Sequence, residues 1–493
     1  MSKKKKTIEE LLEEALVPED EQPFQVPGNW VWVRTETAND IVTGSTPAKK
    51  QSEYYGGGFP FVKPADLEQG SEVIHASEYL TEKGKAVSRI IPKESTMVCC
   101  IGSIGKAGFS TVECTTNQQI NSLVPNKKMI NPKFNYYQVL NETYQNELWN
   151  HSSATTVSII NKGKMSLIPY VLPPFNEQKR IADKVERLLS KIEEAKQLIE
   201  EAKESFELRR AAILDKAFRG DLTKKWRSEN LNIESVEKLY VDIQNEKKKN
   251  APKKKRTLKE HDPIIEPFIL PPTWKWVRLS EICHLIVDGV HKKPDYVEQG
   301  IPFVTVKNLT SSNVLSLDDT KFVTEEAHKK FSERTNPEYG DILMSKDGTL
   351  GVCRKVDIHT EFSIFVSVAL IKTVKPFIDS DYILRILQTP FVQNTLINGS
   401  KGTGLKHIHL VDLRNVLVPL PPLEEQVLIA EVVDKLIKKE EGSIANISEV
   451  LNSVVKISNS ILSKAFRGEL GTNDPSEESA IELLKEALQE QVK

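Results

Sequence analysis

Two tetrapeptides in this 493-residue chain, Leu172-Pro173-Pro174-Phe175 and Leu420-Pro421-Pro422-Leu423, come close to the Asn/Asp-Pro-Pro-Tyr/Phe signature of enzymes that methylate base amino groups. That chemistry needs a polar first residue whose side chain and carbonyl accept hydrogen bonds from the amino group of a flipped base. Leucine cannot do this. Both tetrapeptides run straight into a helical pattern, where proline fixes the entry of the chain, so they are read as structural. Gly102-Ser103-Ile104-Gly105-Lys106-Ala107 hints at a phosphate loop, but its glycine spacing is wrong and no Ser or Thr follows the lysine to bind magnesium. Its counterpart, Asp347-Gly348-Thr349-Leu350-Gly351-Val352, has no lysine at all, and each is read as a tight turn between strands. The nine histidines, His407 and His409 among them, fall into no metal-ligand grouping with Cys or acidic partners. The five cysteines, Cys99, Cys100, Cys114, Cys283 and Cys353, are odd in number and lack zinc-knuckle spacing, which reads as reduced thiols. With no nuclease carboxylate cluster and no glycine-rich cofactor fingerprint after a strand, the reading is of a non-catalytic chain with no metal or cofactor of its own.

What remains is chemistry of binding. Thr43 to Tyr55 is a polar, basic, aromatic loop carrying Thr46, Lys49, Lys50, Gln51, Tyr54 and Tyr55, and Asp288 to Tyr296 carries Lys292, Lys293 and Tyr296. Lys401, Lys406 and His407 form a second group, beside glycines that let backbone approach backbone. Lysines suit phosphates and other anionic groups, and both loops pair two lysines with a nearby tyrosine, so these residues are the candidates for a binding surface. The formal net charge is −2, so attraction to a polyanion must come from local segregation of charge. A length of 493 residues allows about three domains. No apolar run approaches the roughly 18 residues of a membrane span, and the Lys3–Lys6 start leads into an acidic amphipathic segment, so a cytoplasmic location is expected.

The elements that must position these loops occur twice. Pro23 to Arg34, with Trp30-Val31-Trp32-Val33, returns as Pro267 to Arg278, with Trp274-Lys275-Trp276-Val277, an offset of 244 (274 − 30). Leu172 to Gln178 returns as Leu420 to Gln426, and Lys216-Ala217-Phe218-Arg219-Gly220 as Lys464-Ala465-Phe466-Arg467-Gly468, both offset by 248 (420 − 172). Between these landmarks short β-branched and aromatic runs bounded by Gly and Pro read as strands. After each Pro-Pro motif the period changes to steps of four and three. Ile181, Val185, Leu188, Ile192, Ile199 and Phe206 form one heptad seam, and Ile429, Val433, Leu436, Ile447, Val450 and Val454 form the other. Glu440 and Ser443, beside Gly442, interrupt the second seam and are expected to loosen or kink it. Seams of about 40 residues make helices roughly 60 Å long, which can bury each other as an antiparallel pair.

The expected fold class is α+β: two strand-rich globular domains alternating with two long helices paired as an antiparallel coiled coil, with a pseudo-twofold internal duplication. The expected boundaries are a short helix in 1–20, domains at 21–172 and 265–420, a central helical region at 173–246, a basic linker at 247–264, a long helix at 421–471 and a short helix at 472–493. Thr7 to Ala15 is matched by Ser479 to Ala487, and more loosely by Ser235 to Ile243. The chain ends by beginning its repeat again, as a circularly permuted arrangement would.

In this order and twice over, these motifs resemble the specificity subunits of Type I restriction-modification systems, a likeness carried by Pro419 to Gln426, both Trp-x-Trp-Val segments, both Ala-Phe-Arg-Gly segments, Gly402-Thr403-Gly404 and Asn117-Gln118-Gln119-Ile120. The first half departs at Ala154 to Ser158, and the second at Phe362-Ser363-Ile364. The resemblance implies target-recognition domains that each read half of a bipartite, asymmetric double-stranded DNA site, with the coiled coil setting the spacer. It further implies two methyltransferase subunits carrying S-adenosylmethionine and flipping adenines, restriction subunits using ATP and magnesium, and a place in phage defence. Exposed faces of the long and terminal helices would dock the methyltransferases. Arg219 and Arg467, each followed by glycine, are read first as helix C-caps. Two other classes fit the architecture: a free-standing bivalent DNA-binding regulator and a coiled-coil scaffold whose domains bind protein.

Overall fold

The computed structural model describes residues 7–153, 157–230, 232–249, 263–398 and 407–492. It divides into two compact units, Met1–Glu200 with Ser448–Lys493, and Glu201–Ile447. The division falls inside both long helices, Phe175–Phe218 and Leu423–Phe466, each unbroken over 44 residues. Each unit so contains the start of one long helix and the end of the other.

In the first unit, β1 (Val31–Arg34) pairs antiparallel with β10 (Pro169–Leu172), the two strands that open and close the domain. Between them β2 (Asn39–Thr43), β3 (Tyr55–Val62), β4 (Glu78–Leu80), β5 (Ile90–Ile91), β6 (Thr96–Cys99), β7 (Ala107–Phe109), β8 (Cys114–Thr116) and β9 (Ile120–Pro125) form two four-stranded sheets. Their orders are β2-β9-β6-β7 and β4-β3-β8-β5. Thr96–Cys99 is buried at every position because both faces of β6 are covered, Val98 entering one core and Met97 and Cys99 another, while Thr96 accepts from the buried Asn135 Nδ2 at 3.2 Å. Ile181 and Val185 near the start of the first long helix share a core with Leu462, Ala465 and Phe466 at the end of the second, the antiparallel sense. The C-terminal helix Ala480–Val492 and the N-terminal helix Ile8–Ala15 join that core through Leu484, Leu488 and Ala15. Thr7 starts the N-terminal helix with a capping box, accepting from Glu10 N at 3.2 Å while its own N–H donates to Glu10 Oε2 at 2.8 Å.

The second unit repeats the plan. β11 (Lys275–Arg278) pairs with β19 (Leu417–Leu420). β12 (Cys283–Asp288), β13 (Ile301–Val304), β14 (Lys321–Val323), β15 (Ile342–Ser345), β16 (Cys353–Lys355), β17 (Ser363–Ile364) and β18 (Val368–Thr373) form sheets ordered β12-β18-β15-β16 and β14-β13-β17. Strand for strand these match the first unit, except that β5 has no counterpart among the described residues. Leu214, Ala217 and Phe218 share a core with Ile429, Ala430, Val433 and Ile437, again the end of one helix with the start of the other. Helix Val236–Lys249 contributes Leu239 and Ile243 here, the place that Ala480–Val492 takes in the first unit. The chain thus closes on itself: the repeat begun at its last helix is completed by the domain at its start.

The repeated motifs meet at one node in each unit. Glu177, in the Pro-Pro-x-x-Glu-Gln segment, is buried and accepts from Trp30 Nε1 at 2.7 Å, Asn473 Nδ2 at 2.9 Å and the Thr472 hydroxyl at 3.4 Å. Glu425 likewise accepts from Trp274 Nε1 at 2.8 Å and the Thr223 hydroxyl at 2.6 Å, and pairs with Arg227. Gln178 beside it accepts from Asn131 N at 2.9 Å and donates to Met129 O at 2.9 Å and Pro173 O at 3.0 Å, while Gln426 accepts from Asp379 N at 3.0 Å and donates to Pro421 O at 3.0 Å. The Ala-Phe-Arg-Gly segments lock the same junction from the other helix. Gly220 and Gly468 have φ of +78° and +75°, and a Cβ there would stand 2.8 Å from Pro271 Cγ and 2.3 Å from Pro27 Cγ, so both end their helices as only glycine can. Arg219 and Arg467 then lie 4.3 Å over the rings of Phe268 and Phe24.

Several expectations are corrected. Val450 is 50 % exposed and Leu451, one residue on, is the half-buried position; Ile437, not Leu436, is the fully buried residue one turn after Val433. Leu188, Ile192, Ile199, Phe206, Ile447 and Val454 are half-buried. The second long helix runs unbroken through Gly442, where a single glycine costs only about 1 kcal/mol, and Ser443 beside it donates its hydroxyl to Lys439 O at 3.1 Å. Glu440 is partly covered, with Arg209 3.9 Å away. Lys247–Lys249 belong to a helix, not to a linker, and burial pulls the Lys247 ammonium below its ordinary pKa; residues 250–262 of the expected linker lie outside the described residues. All five cysteines are free and buried.

Burial pushes the Glu177 carboxyl above its ordinary value, against the opposing bonds from Trp30 and Asn473 and the charge of Arg180. Its partners at bonding distance are neutral, so Glu177→Gln keeps an acceptor for Trp30 and should stay within about 1 kcal/mol of the parent near neutral pH. Glu425→Gln strands the Arg227 charge in a buried site and should cost about 3–5 kcal/mol in denaturant titrations. Because the folded pKa of Glu177 is raised, its ionisation detracts from stability above that pKa, and the loss is relieved as pH falls through it toward the unfolded value of 4.5. The parent should therefore gain stability relative to Glu177→Gln across that window. Gly468→Ala, which forces a Cβ against Pro27 at positive φ, is expected to lower stability by about 1–3 kcal/mol.

Candidate nucleic-acid interface

In the first unit the Thr43–Tyr55 loop leaves β2 against the turn joining β8 to β9. Gly44 N donates to Ile120 O at 3.0 Å and Ser45 N to Thr116 O at 2.8 Å. A Cβ on Gly44 would lie 2.1 Å from Asn117 O, so only glycine permits this approach. The turn is braced from within, Asn117 Nδ2 donating to Gln119 Oε1 at 2.9 Å and Gln119 N to Asn117 Oδ1 at 3.1 Å. Thr46 donates across to the exposed Gln118. Lys49, Lys50 and Gln51 stand exposed at the tip, with Tyr54 half-buried. Tyr55 closes the loop by donating to Pro47 O at 2.6 Å, and burial, then the nearby Glu78, raise its phenol above the ordinary pKa. Its hydroxyl is thus already engaged in shaping the loop.

The β6–β7 turn joins the same surface, since Cys100 N donates to Gln119 O at 2.7 Å, Ile160 N to Cys100 O at 2.9 Å and Gly102 N to Ser158 O at 3.0 Å. Residues that looked like a phosphate loop are a strand turn whose backbone pins the segment near Ser158. Ala154, Thr155 and Thr156 lie outside the described residues.

The second unit uses the same three parts. Val290 N donates to Ile364 O at 3.0 Å, and a Cβ on Gly289 would lie 2.0 Å from that oxygen. Lys292 and Lys293 are exposed, and Tyr296 packs edge-on against Phe303 at 5.9 Å with Lys321 4.5 Å and Lys293 6.0 Å from its ring. His407 pairs with Asp347 of the β15–β16 turn, and Ile408 N donates to Lys346 O at 2.9 Å. Lys346 in turn bonds Asp288 Oδ2 at 3.1 Å, so His407 and the 288–296 loop, far apart in sequence, are drawn into one cluster. Lys401 and Lys406 lie outside the described residues, as does Gly402-Thr403-Gly404.

The two units depart from each other in two places. The strand pairing and backbone bonds set Thr116 against Ile364 and Gln119 against Ser367, so the exposed Gln118 is answered by the half-buried Val366, and buried Ser363, which shares a hydrogen bond with His328 Nδ1 at 2.9 Å, answers Thr115, whose hydroxyl donates to Arg89 O at 2.8 Å. Asp288 has no charged counterpart in the first unit, where Thr43 stands at the end of β2. Burial works to raise the Asp288 carboxyl, but Lys346, Arg334 and His291 outweigh it and hold it below the ordinary carboxylate range. The residues missed from sequence are Arg89, Arg334, Lys346 and Asp288. Arg89 and Arg334 share one offset, 245 (334 − 89), with the pair Thr43 and Asp288, a signal that was available in the repeat. Among the described residues no group of three or more His, Cys, Asp or Glu is placed to hold a metal ion.

Comparisons with known proteins match the duplication of the domain. A family model described as the Type I restriction modification DNA specificity domain matches residues 27–204 and again 271–452. The EcoBI specificity subunit of Escherichia coli is 24% identical over 452 residues, covering 91% of this chain and 87% of that protein. The EcoKI specificity subunit of Escherichia coli K12 is 24% identical over 467 residues, covering 90% of each. The MjaIX specificity subunit of Methanocaldococcus jannaschii is 24% identical over 455 residues, with 90% and 94% covered. A chain solved in work on complex assembly and conformational transition of the type I R-M system matches in fold with a TM-score of 0.68 at 20% identity, covering 91% of this chain and all of that one. With two copies of the domain matched over well more than half its length, each coinciding with one of the two loop-bearing sheets, this chain belongs to the Type I restriction-modification DNA specificity family.

Proposed function

We propose that this chain is the specificity subunit of a Type I restriction-modification complex, acting in the cytoplasm, and that each strand-rich domain reads one half of a bipartite double-stranded DNA target. The observation that carries the reading is the surface built twice from the same three parts, a loop after β2 or β12, the β8–β9 or β17–β18 turn, and the β6–β7 or β15–β16 turn, with different side chains on each. A repeated frame with divergent contacts is what an asymmetric two-part site requires. Lys49, Lys50, Lys292 and Lys293 serve as phosphate contacts that set register, and Thr46, Gln51, Tyr54 and His407 are candidates for reading base edges. The long helices act as the ruler between half-sites.

In this reading the chain supplies recognition and its partners supply chemistry. Two methyltransferase subunits bring S-adenosylmethionine and modify adenines, and restriction subunits bring ATP- and magnesium-dependent activity. The boundaries proposed for the two recognition domains are 21–172 and 265–420.

Single-molecule sequencing of adenine methylation, in cells expressing the neighbouring methyltransferase with and without this chain, tests the proposal. A bipartite motif that appears only with the chain is expected, and exchanging residues 21–172 for those of a relative should change one half alone. No chain-dependent methylation, with the methyltransferase folded and expressed, would reject it in favour of a regulator or a scaffold. For the purified complex, replacing Lys49 and Lys50 together by alanine should weaken DNA binding without altering the motif and reduce the slope of log affinity against log salt by about 2.

A further inference from the structure

One arginine in each domain is fixed to the same backbone atom at the root of the reading loop. Arg89 Nη1 donates to the carbonyl of Thr43, the last residue of β2, at 2.8 Å, and Arg334 Nε donates to the carbonyl of Asp288, the last residue of β12, at 3.2 Å. The arginines are 245 residues apart (334 − 89), as are Thr43 and Asp288 (288 − 43). Each follows a short helix, Glu82–Ala86 or Glu325–Ser332, capped by a threonine hydroxyl from Thr81 or Thr324. The loops these arginines border differ in length and composition, yet the arginine and its carbonyl recur.

Both side chains are exposed, and Arg334 leaves 52 % of its side chain open above an Asp288 that is only 6 % exposed. Arg334 Nη2 bonds Asp288 Oδ1 and lies 3.2 Å from His291 Nε2, while Nη1 has no partner among the described residues. Arg89 uses Nη1 inward, and its Nη2 is likewise without a partner among them. Arg334 is held along its Nε–Nη2 edge and Arg89 by Nη1 alone, so the fork left to contact a ligand is Nη1 with the second Nη2 hydrogen in Arg334 and Nε with Nη2 in Arg89, each with its rotamer already chosen, which lowers the entropy lost on contact. That geometry matches the O6 and N7 acceptors of guanine in the major groove. A phosphate requires no such planarity, and the Asp288 carboxylate beside Arg334 would repel one.

We propose that Arg89 and Arg334 are specificity residues, each reading a guanine in its own half-site, with the Thr43 carbonyl and the Asp288 carboxylate as positioning groups. This rests on the DNA-reading function proposed above. The test is methylation sequencing with the full chain in complex with its methyltransferase, comparing the parent with Arg89→Ala, Arg334→Ala and Arg334→Lys, alongside thermal melting of each. Arg334→Ala should relax one G·C position in the half-site of the second domain, narrowing discrimination there about ten- to hundredfold and leaving the other half intact. Arg89→Ala should do the same in the opposite half. Arg334→Lys, which retains a charge for Asp288 but loses the fork, should relax the same position with melting unchanged. An unchanged motif with uniformly weaker binding and a salt slope smaller by about 1 would make the arginine a phosphate contact and overturn the proposal. An unchanged motif and rate, or a defect fully restored by lysine, would make it a structural latch and overturn it equally. A parent half-site without a G·C pair overturns the assignment for that domain, whereas a parent with no chain-dependent methylation defeats the DNA-reading function itself.

Discussion

A buried carboxylate at the foot of each long helix is the constraint on which the rest of the structure depends. Glu177 and Glu425 are fully buried, and each is held by an indole N–H from the residue just before the strand that opens its domain and by polar groups that follow the end of the other long helix. An ionisable group withdrawn from water is tolerable only where it is bonded on several sides. The requirement for those partners therefore fixes the entry strand, the start of one helix and the end of the other in a single geometry. The neighbouring glutamine adds three bonds in the first unit and ties the helix to the backbone of the preceding strand and of the loop at Met129.

This constraint explains why each unit is assembled from distant parts of the chain. The first unit needs Thr472 and Asn473 to complete the shell of Glu177, so residues 448–493 fold with residues 1–200. The second needs Thr223 and Arg227 for Glu425, and these directly follow the first long helix. The exchange is mutual: the tail of each repeat completes the domain of the other. The two nodes are not chemically equal, since neutral donors and a nearby Arg180 surround Glu177 whereas Arg227 pairs directly with Glu425.

On such a frame the loop-bearing surface is free to change. Gly44 and Gly289 let the reading loop press against the backbone of the neighbouring turn in both units, and the same backbone bonds carry the β6–β7 and β15–β16 turns. These contacts involve main-chain atoms, so side chains at the tips can vary without loss of the fold. Lys49, Lys50 and Gln51 on one side, and Lys292, Lys293 and His407 on the other, are the visible result. The family and its DNA-specificity domain follow from the repeated frame, while the tips carried on that frame differ between the two units.

The duplication, the strand-rich domains, the two long helices and the antiparallel sense were all legible in the sequence, because hydrophobic period and repeat order are local properties that survive divergence. So was the structural character of the Pro-Pro and Ala-Phe-Arg-Gly segments, since Pro at a helix start and Gly after a helix end act through their own backbone angles. Seam positions at Leu436 and Val450 were missed by one residue, as a helix of 3.6 residues per turn drifts against a strict heptad. What the tertiary structure alone decided is which residues converge. Trp30, Glu177 and Asn473 span nearly the whole chain, as their separations of 147 and 296 residues show, and no periodicity relates them. His407 and Asp347, or Arg334 and Asp288, lie 60 and 46 residues apart and meet only in the folded chain. Local pattern is written along the chain, but a polar cluster is defined by the desolvation that pairs its members, and that exists only once the chain has folded.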